Sequence, residues 1–118
     1  MDEMGTTVKP PKLMSTDEFV AWKEKFIGWV KANHFAGWVA IEKGYFSPLN
    51  EHGNLVEKCY FSPQQREEYI ADRKMISLII QSVKEDIIIL LPEYKTVRDL
   101  WYSLARKCNP YTRVHSET

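Results

Sequence analysis

The sequence predicts an all-α protein, an orthogonal bundle of about five helices. Three observations predict it. Apolar residues recur at helical spacing in separate stretches. Recognisable helix starts precede several of those stretches. No stretch alternates well enough to be a strand. The chain has 118 residues, enough for one domain with a proper core. Residues 1–11 read as a tail, 12–110 as the helical domain and 111–118 as a frayed C-terminal tail. Gly5, Pro10 and Pro11 break any helix in the first segment.

The first helix is expected at about 16–32. Ser15 and Glu18 have the S-x-x-E spacing of a capping box, and Phe19, Trp22, Phe26, Trp29 and Val30 follow on one face. Val20 and Ile27 fall off that stripe. A short helix over 35–43 carries Trp38 and Ile41, and Gly44 stops it. Residues 45–61 read as a long loop rich in turn formers, with room for a weak hairpin around His52-Gly53. The tetrapeptide Tyr45-Phe46-Ser47-Pro48 returns as Tyr60-Phe61-Ser62-Pro63, too short a repeat to build a repeat fold.

The third helix starts with Ser62 as N-cap, Pro63 at N1 and Gln65 at N3. Its buried face is expected to hold Tyr69, Ile76, Ile79, Ile80 and Val83, with Leu78 pointing elsewhere. A fourth helix is expected over about 84–91, ending at Pro92, its aliphatic run buried on most sides. The fifth covers about 97–108, capped by Thr96 and ended by Asn109-Pro110, with Val97, Leu100, Trp101, Leu104 and Cys108 on one face. The expected core is therefore Trp22, Phe26, Trp29, Trp38, Ile76, Ile80, Leu100, Trp101 and Leu104.

Composition narrows the function. Sixteen basic residues balance sixteen acidic ones, so the whole chain offers no basic field for counterion-release binding to nucleic acid. The longest aliphatic run, Ile87 to Leu91, is far short of the roughly twenty residues a bilayer span needs. The N-terminus has no apolar segment of a secretory signal. Two cysteines, Cys59 and Cys108, make no disulfide framework and suit a reducing, intracellular compartment.

Catalytic signatures are not legible. The sequence has no phosphate-binding loop, no G-x-G-x-x-G, no H-E-x-x-H, no G-x-S-x-G and no close Cys/His array for zinc. His34, His52 and His115 read as solvated surface residues, and nothing in sequence orients His52 toward Cys59. The adjacent acids Glu67-Glu68 and Glu85-Asp86 point about 100° apart on a helix and suit helix first turns. Trp22, Trp29, Trp38 and Trp101 could stack on bases, but three of them sit in helical stripes beside aliphatics, as core residues do. No catalytic residue, cofactor or metal is expected.

Taken in order, the residues resemble a family. Lys12-Leu13 with Phe19-x-x-Trp22-Lys23-x-x-Phe26 resembles the K-L-…-Y-x-x-W-x-x-x-M opening of copia-type LTR-retrotransposon Gag proteins of plants. Trp38-Val39 and Gly44-Tyr45 resemble its W-x-x-x-x-x-G-Y stretch. Asp72-Arg73-Lys74 with Ile76, Ile79 and Ser82-Val83 is similar to N-D-x-K-A-x-x-x-I-x-x-S-L. The run from Thr96 to Leu104 is similar to T-A-K-E-A-W-D-x-L. The resemblance covers about 12–110. It departs at Met75, where the family usually has Ala, and in the loop 45–61, aromatic here rather than acidic. No second lobe, zinc knuckle or aspartic-protease motif follows in this sequence.

The resemblance implies a capsid N-terminal lobe, either a domain of a longer Gag or a host-adopted relative. Such lobes are not enzymes. They self-associate into lattices that enclose retrotransposon RNA in a virus-like particle, so the implied partner is a second copy of the chain. RNA would be reached only indirectly or through segments absent here, and no membrane is implied. Val20, Ile27 and Leu78, the apolar residues off the core stripes, are the candidate assembly contacts. The alternative is a monomeric interaction module that binds a host partner through the loop aromatics Tyr45, Phe46, Tyr60 and Phe61.

Overall fold

The computed structural model describes residues 9–109. Five α-helices follow one another: α1 (Phe19–Asn33), α2 (Phe35–Lys43), α3 (Pro63–Ser82), α4 (Glu85–Ile88) and α5 (Val97–Cys108). Short 3-10 turns precede α1 at Thr16–Glu18 and sit in the long loop at Lys58–Tyr60. Among the described residues there are only two isolated β-bridges, so the protein is all-α.

The first helix buries the face its spacing predicts: Phe19, Trp22, Phe26, Trp29 and Val30. Its start differs from expectation. The Ser15 hydroxyl accepts from the Asp17 amide at 3.2 Å, and the Glu18 amide bonds the Ser15 carbonyl rather than its side chain. The first turn is thus a 3-10 turn, and the reciprocal Ser15–Glu18 box does not form. At α3 the box is complete. Gln65 N–H donates to Ser62 Oγ at 3.1 Å, and Ser62 N–H donates to Gln65 Oε1 at 2.8 Å.

The aromatic half of the core joins α1 to α5. Trp22 stacks on Phe26 with centroids 4.6 Å apart, and Trp101 lies 5.9 Å from each. The Trp22 indole N–H is satisfied by the Pro11 carbonyl at 3.0 Å, as a buried Trp donor requires. Next to it Leu13, fully buried, bridges in parallel to Val83: its amide donates to the Ser82 carbonyl at 2.7 Å and its carbonyl accepts from Lys84 at 2.9 Å. The extended segment before α1 is therefore fastened to the end of α3.

α2 packs on α1, α3 and α5. It contributes small residues to the contact, Gly37 and Ala40, with Ile41. A Cβ on Gly37 would stand 2.4 Å from Met75 Sδ, so glycine sets how closely α2 and α3 approach. Trp38, expected in the core, is only half-buried and carries the Lys31 ammonium over its ring at 4.8 Å. It flanks the face that Gly37, Ala40 and Ile41 occupy.

The buried face of α3 is Asp72, Met75, Ile79 and Ser82. This corrects the expected stripe. Ile80 is 38% exposed, because it lies about 100° round the helix from Ile79 and only one of the two can face inward. Ile76 is half-buried at the core's edge, Tyr69 is half-buried, and Leu78, expected to point away, also packs against the core. Two positions that a hydrophobic count overlooks, Asp72 and Ser82, are buried polar residues with partners. Val97 N–H donates to Asp72 Oδ1 at 2.9 Å, and Ser82 Oγ donates to the Leu78 carbonyl at 2.7 Å.

α4 is one turn long, shorter than the expected 84–91. Leu90 and Leu91 close it with tight i→i+3 bonds to Ile87 and Ile88. Pro92 can donate no further bond and disfavours helix at Leu91. Burial on most sides does not hold either: Ile87 is buried, but Ile89 and Leu90 stand exposed. α5 matches its expected bounds, with Val97, Leu100, Trp101, Leu104 and Cys108 buried.

Candidate interaction surface

A groove of about 750 Å³ runs between α2, the start of the long loop and the first half of α3. Phe35, Ala36, Val39 and Ala40 supply one wall, and Tyr45 with Phe46 closes one end. The α3 lip holds Pro63, Gln64, Glu67, Glu68 and Ala71. A second hollow of about 280 Å³ shares Ala36, Glu67 and Ala71 with it and continues past Gly37, Ile70 and Leu78 to His34 and Lys74. Phe35 and Ile70 are more than half exposed, and Phe46 is 83% exposed. The small residues that let α2 and α3 pack closely also leave this hollow above their contact.

The loop that ends the groove is built, not slack. Gly44 has φ +84° and stops α2 as expected. The Asn50 side-chain carbonyl accepts from the His52 and Asn54 amides at 2.8 and 3.0 Å. Gly53 turns the chain at φ +81°, and Leu49 bridges antiparallel to Leu55. The weak hairpin around His52-Gly53 is therefore a single bridge. Both ends of the loop converge on Tyr69 of α3. Tyr45 and Phe61 meet its ring at 5.9 Å, and Lys58 Nζ and Arg73 lie 5.0 and 5.7 Å from its centroid. Burial, above all, raises the Tyr45 phenol above its ordinary range.

The four loop aromatics thus divide. Tyr45 and Phe46 line the groove, Phe61 is spent on Tyr69, and Tyr60 stands exposed. The three off-stripe residues divide too. Val20 is 74% exposed, whereas Ile27 and Leu78 are half-buried against the core.

Other polar groups fix the frame. Asp72 also accepts from Arg73 Nε at 3.1 Å, and Arg73 reaches the Lys95 carbonyl. These bonds, with that from Val97, tie the start of α5 to α3. Arg98 donates to the Ile41 carbonyl at 3.5 Å and to that of Glu42, placing a cation at the negative end of α2. Only the D-R-K spacing in sequence hints at the Asp72 role, and nothing marks Arg98.

His34 corrects the solvated-histidine expectation. It is half-buried at the α1–α2 junction with its ring 5.1 Å from that of Trp29. Burial first, and then the Lys74 charge, lower its pKa. His52 is exposed beside Glu51 at 3.6 Å, and exposed Cys59 lies 3.9 Å from Glu57 Oε1. Cys108 is a buried thiol, and His115 lies outside the described residues. Among the described residues no group of three or more His, Cys, Asp or Glu side chains could hold a metal ion, and no helix is long and apolar enough to cross a membrane. No family model, curated protein or solved structure matches the chain.

Proposed function

We propose that this protein is a structural, self-associating lobe, the role that its resemblance to copia-type Gag capsid implies. Its task is to pack against further copies of itself in a lattice around RNA inside the cell. The observation that carries the reading is the α2/α3 groove, an apolar trough that the fold leaves open and flanks with exposed Phe35 and Phe46. A monomer gains nothing by holding such side chains in water, whereas a lobe that docks on its neighbours covers them. Zero formal net charge suits close packing of like copies.

Sedimentation velocity across concentration tests this. Monomer is expected at low concentration and reversible association toward the millimolar range. Since the driving surface is mainly apolar, raising salt should not abolish association. Electron microscopy of the concentrated protein at high salt should show ordered assemblies. A monomer at every concentration would favour the second reading, a module that takes a foreign peptide in the same groove. The groove's size favours that alternative, because it falls within the range of about 300–1,000 Å³ typical of ligand pockets.

A further inference from the structure

We propose that the outer face of α1 docks into the α2/α3 groove of a second copy, head to tail, an assignment that rests on the self-association reading above. The α1 side is a single ridge. Val20, Lys23, Ile27 and Lys31 follow at i, i+3, i+7 and i+11, so they lie in one row along the helix. Val20 is 74% exposed and Ile27 half-buried, with Lys23 and Lys31 exposed between and beyond them. Val20 and Ile27 stand at the i and i+7 anchor positions of a helix that lies in a groove, with Ile27 partly packed against the core below.

The groove side offers apolar walls and an acidic lip. Glu67 and Glu68 stand on α3, against the single Lys43 among its lining residues. Lys23 on the ridge meets a carboxylate on the lip, and Lys31, which rests over the Trp38 ring, adds charge of the same sign. Charge also decides between the two apolar projections the chain could insert. The exposed Ile89 and Leu90 are framed by Glu85, Asp86 and Glu93, with Lys84 paired to Asp86 at 3.6 Å, an excess of negative charge that would face Glu67 and Glu68 with like sign. The α1 ridge carries Lys23 and Lys31 against Glu24, an excess of the opposite sign.

Ridge and groove belong to one packed body: α1 lies on α2 with its aromatic face, so its outer face cannot reach the groove beside α2 in the same molecule. They meet only between molecules. The contact is heterologous: a copy bound through its ridge still offers its groove, so head-to-tail addition builds rings or filaments. One helix in one groove buries less than the roughly 1,200 Å² of a standard interface, so each contact is weak and the assembly grows with concentration.

The test uses two exposed substitutions that spare the core. Val20→Asp spoils the ridge, and Phe46→Asp spoils the groove wall. Each variant alone should stay folded by circular dichroism and weaken association about tenfold or more, the effect of about 1.4 kcal/mol. An equimolar mixture still pairs the intact groove of the first with the intact ridge of the second. It should sediment as a one-to-one dimer and grow no further, while wild type grows. Glu67→Lys with Glu68→Lys in one chain should weaken its self-association, and mixing it with Lys23→Glu should restore growth, because both ridge–groove pairings between the two variants are then opposite in charge. If wild type associates but the mixture stays monomeric, or both variants associate like wild type, the ridge-and-groove assignment is wrong and self-association stands. If wild type never associates, both fall.

Discussion

The two sides of this molecule use aromatic mass in opposite ways. Between α1 and α5 the rings of Trp22, Phe26 and Trp101 stack in a sealed core, and Phe26 is fully buried. Between α2, α3 and the loop, Phe35, Phe46 and Tyr60 stand in water. The difference follows from side-chain size at the helix contacts. Large rings between α1 and α5 fill the space themselves. Small residues at the α2–α3 contact bring the helices together at Gly37 and Met75 and leave a trough above. Buried aromatic packing is concentrated on the first side, and exposed apolar area on the second.

The largest expected effect breaks the sealed side. Trp101→Ala removes the ring that meets Phe19, Trp22 and Phe26. Truncating a buried aromatic costs about 3–5 kcal/mol, a large part of a small domain's stability. Urea unfolding should show it. Phe46→Ser on the open side should change the midpoint little, because that ring is 83% exposed. Equal losses at both positions would erase the contrast.

That contrast was half legible in the sequence. The sealed side could be read because α1 and α5 repeat large apolar residues at helical spacing and α5 starts at a threonine whose hydroxyl accepts from Asp99 N–H at 3.2 Å. The open side could not. Apolar spacing misplaces the inward face of α3, because two of its positions are Asp72 and Ser82, while Ile76 and Ile80 lie at the edge or outside. Hydropathy assigns an aspartate to the surface unless its buried partner, here the Val97 amide, is known. The groove depends on how closely α2 and α3 approach, a tertiary distance that no local pattern encodes. The loop aromatics were visible as a group, but not their division between Tyr69 and the groove.

The next effect lies at the join between the two sides. Asp72→Ala leaves the buried Val97 amide without its acceptor and Arg73 without its carboxylate. Leaving such a group unsatisfied costs about 1–3 kcal/mol. Asp72→Asn keeps an oxygen for Val97 and should recover part of the loss. Thermal unfolding of the pair checks this. If Asn is no better than Ala, the charge on Arg73 matters more than the amide bond.

Two helix glycines sharpen the comparison with smaller, opposite effects. At Gly37 a Cβ would meet Met75 Sδ at 2.4 Å, so Gly37→Ala forces that side chain to move. Overpacking of this kind costs about 1–3 kcal/mol, partly relieved because Met is flexible. At Gly28 nothing lies within 4 Å of an added Cβ. Gly28→Ala should therefore stabilise the protein by about 0.5–1 kcal/mol, the usual helix-interior difference. Melting temperatures should move down for the first variant and up for the second. Movement in the same direction would mean that the α2–α3 approach is not set by Gly37.

The smallest expected effect is a pH dependence at the seam where the sealed and open sides meet. His34 ends α1, starts α2, rests against Trp29 and lines the smaller hollow with Lys74. Burial, and then the Lys74 charge, depress its folded pKa below 6.5. The unfolded chain therefore binds this proton more readily than the folded one. By linkage, the folded state gains stability as pH rises from the depressed folded value to about 6.5, and loses it as pH falls through the same window. Above the unfolded value His34 is neutral in both states and adds no slope. Urea midpoints measured between pH 5 and pH 8 should rise through the lower part of this range and then level off, after subtraction of the carboxylate background. His34→Gln removes the titrating ring, and its midpoint should follow the carboxylates alone. Lys74→Met removes only the second cause, so it should narrow the window without closing it. If His34→Gln keeps the full slope, the proton is taken up elsewhere, and this seam does not carry the pH dependence.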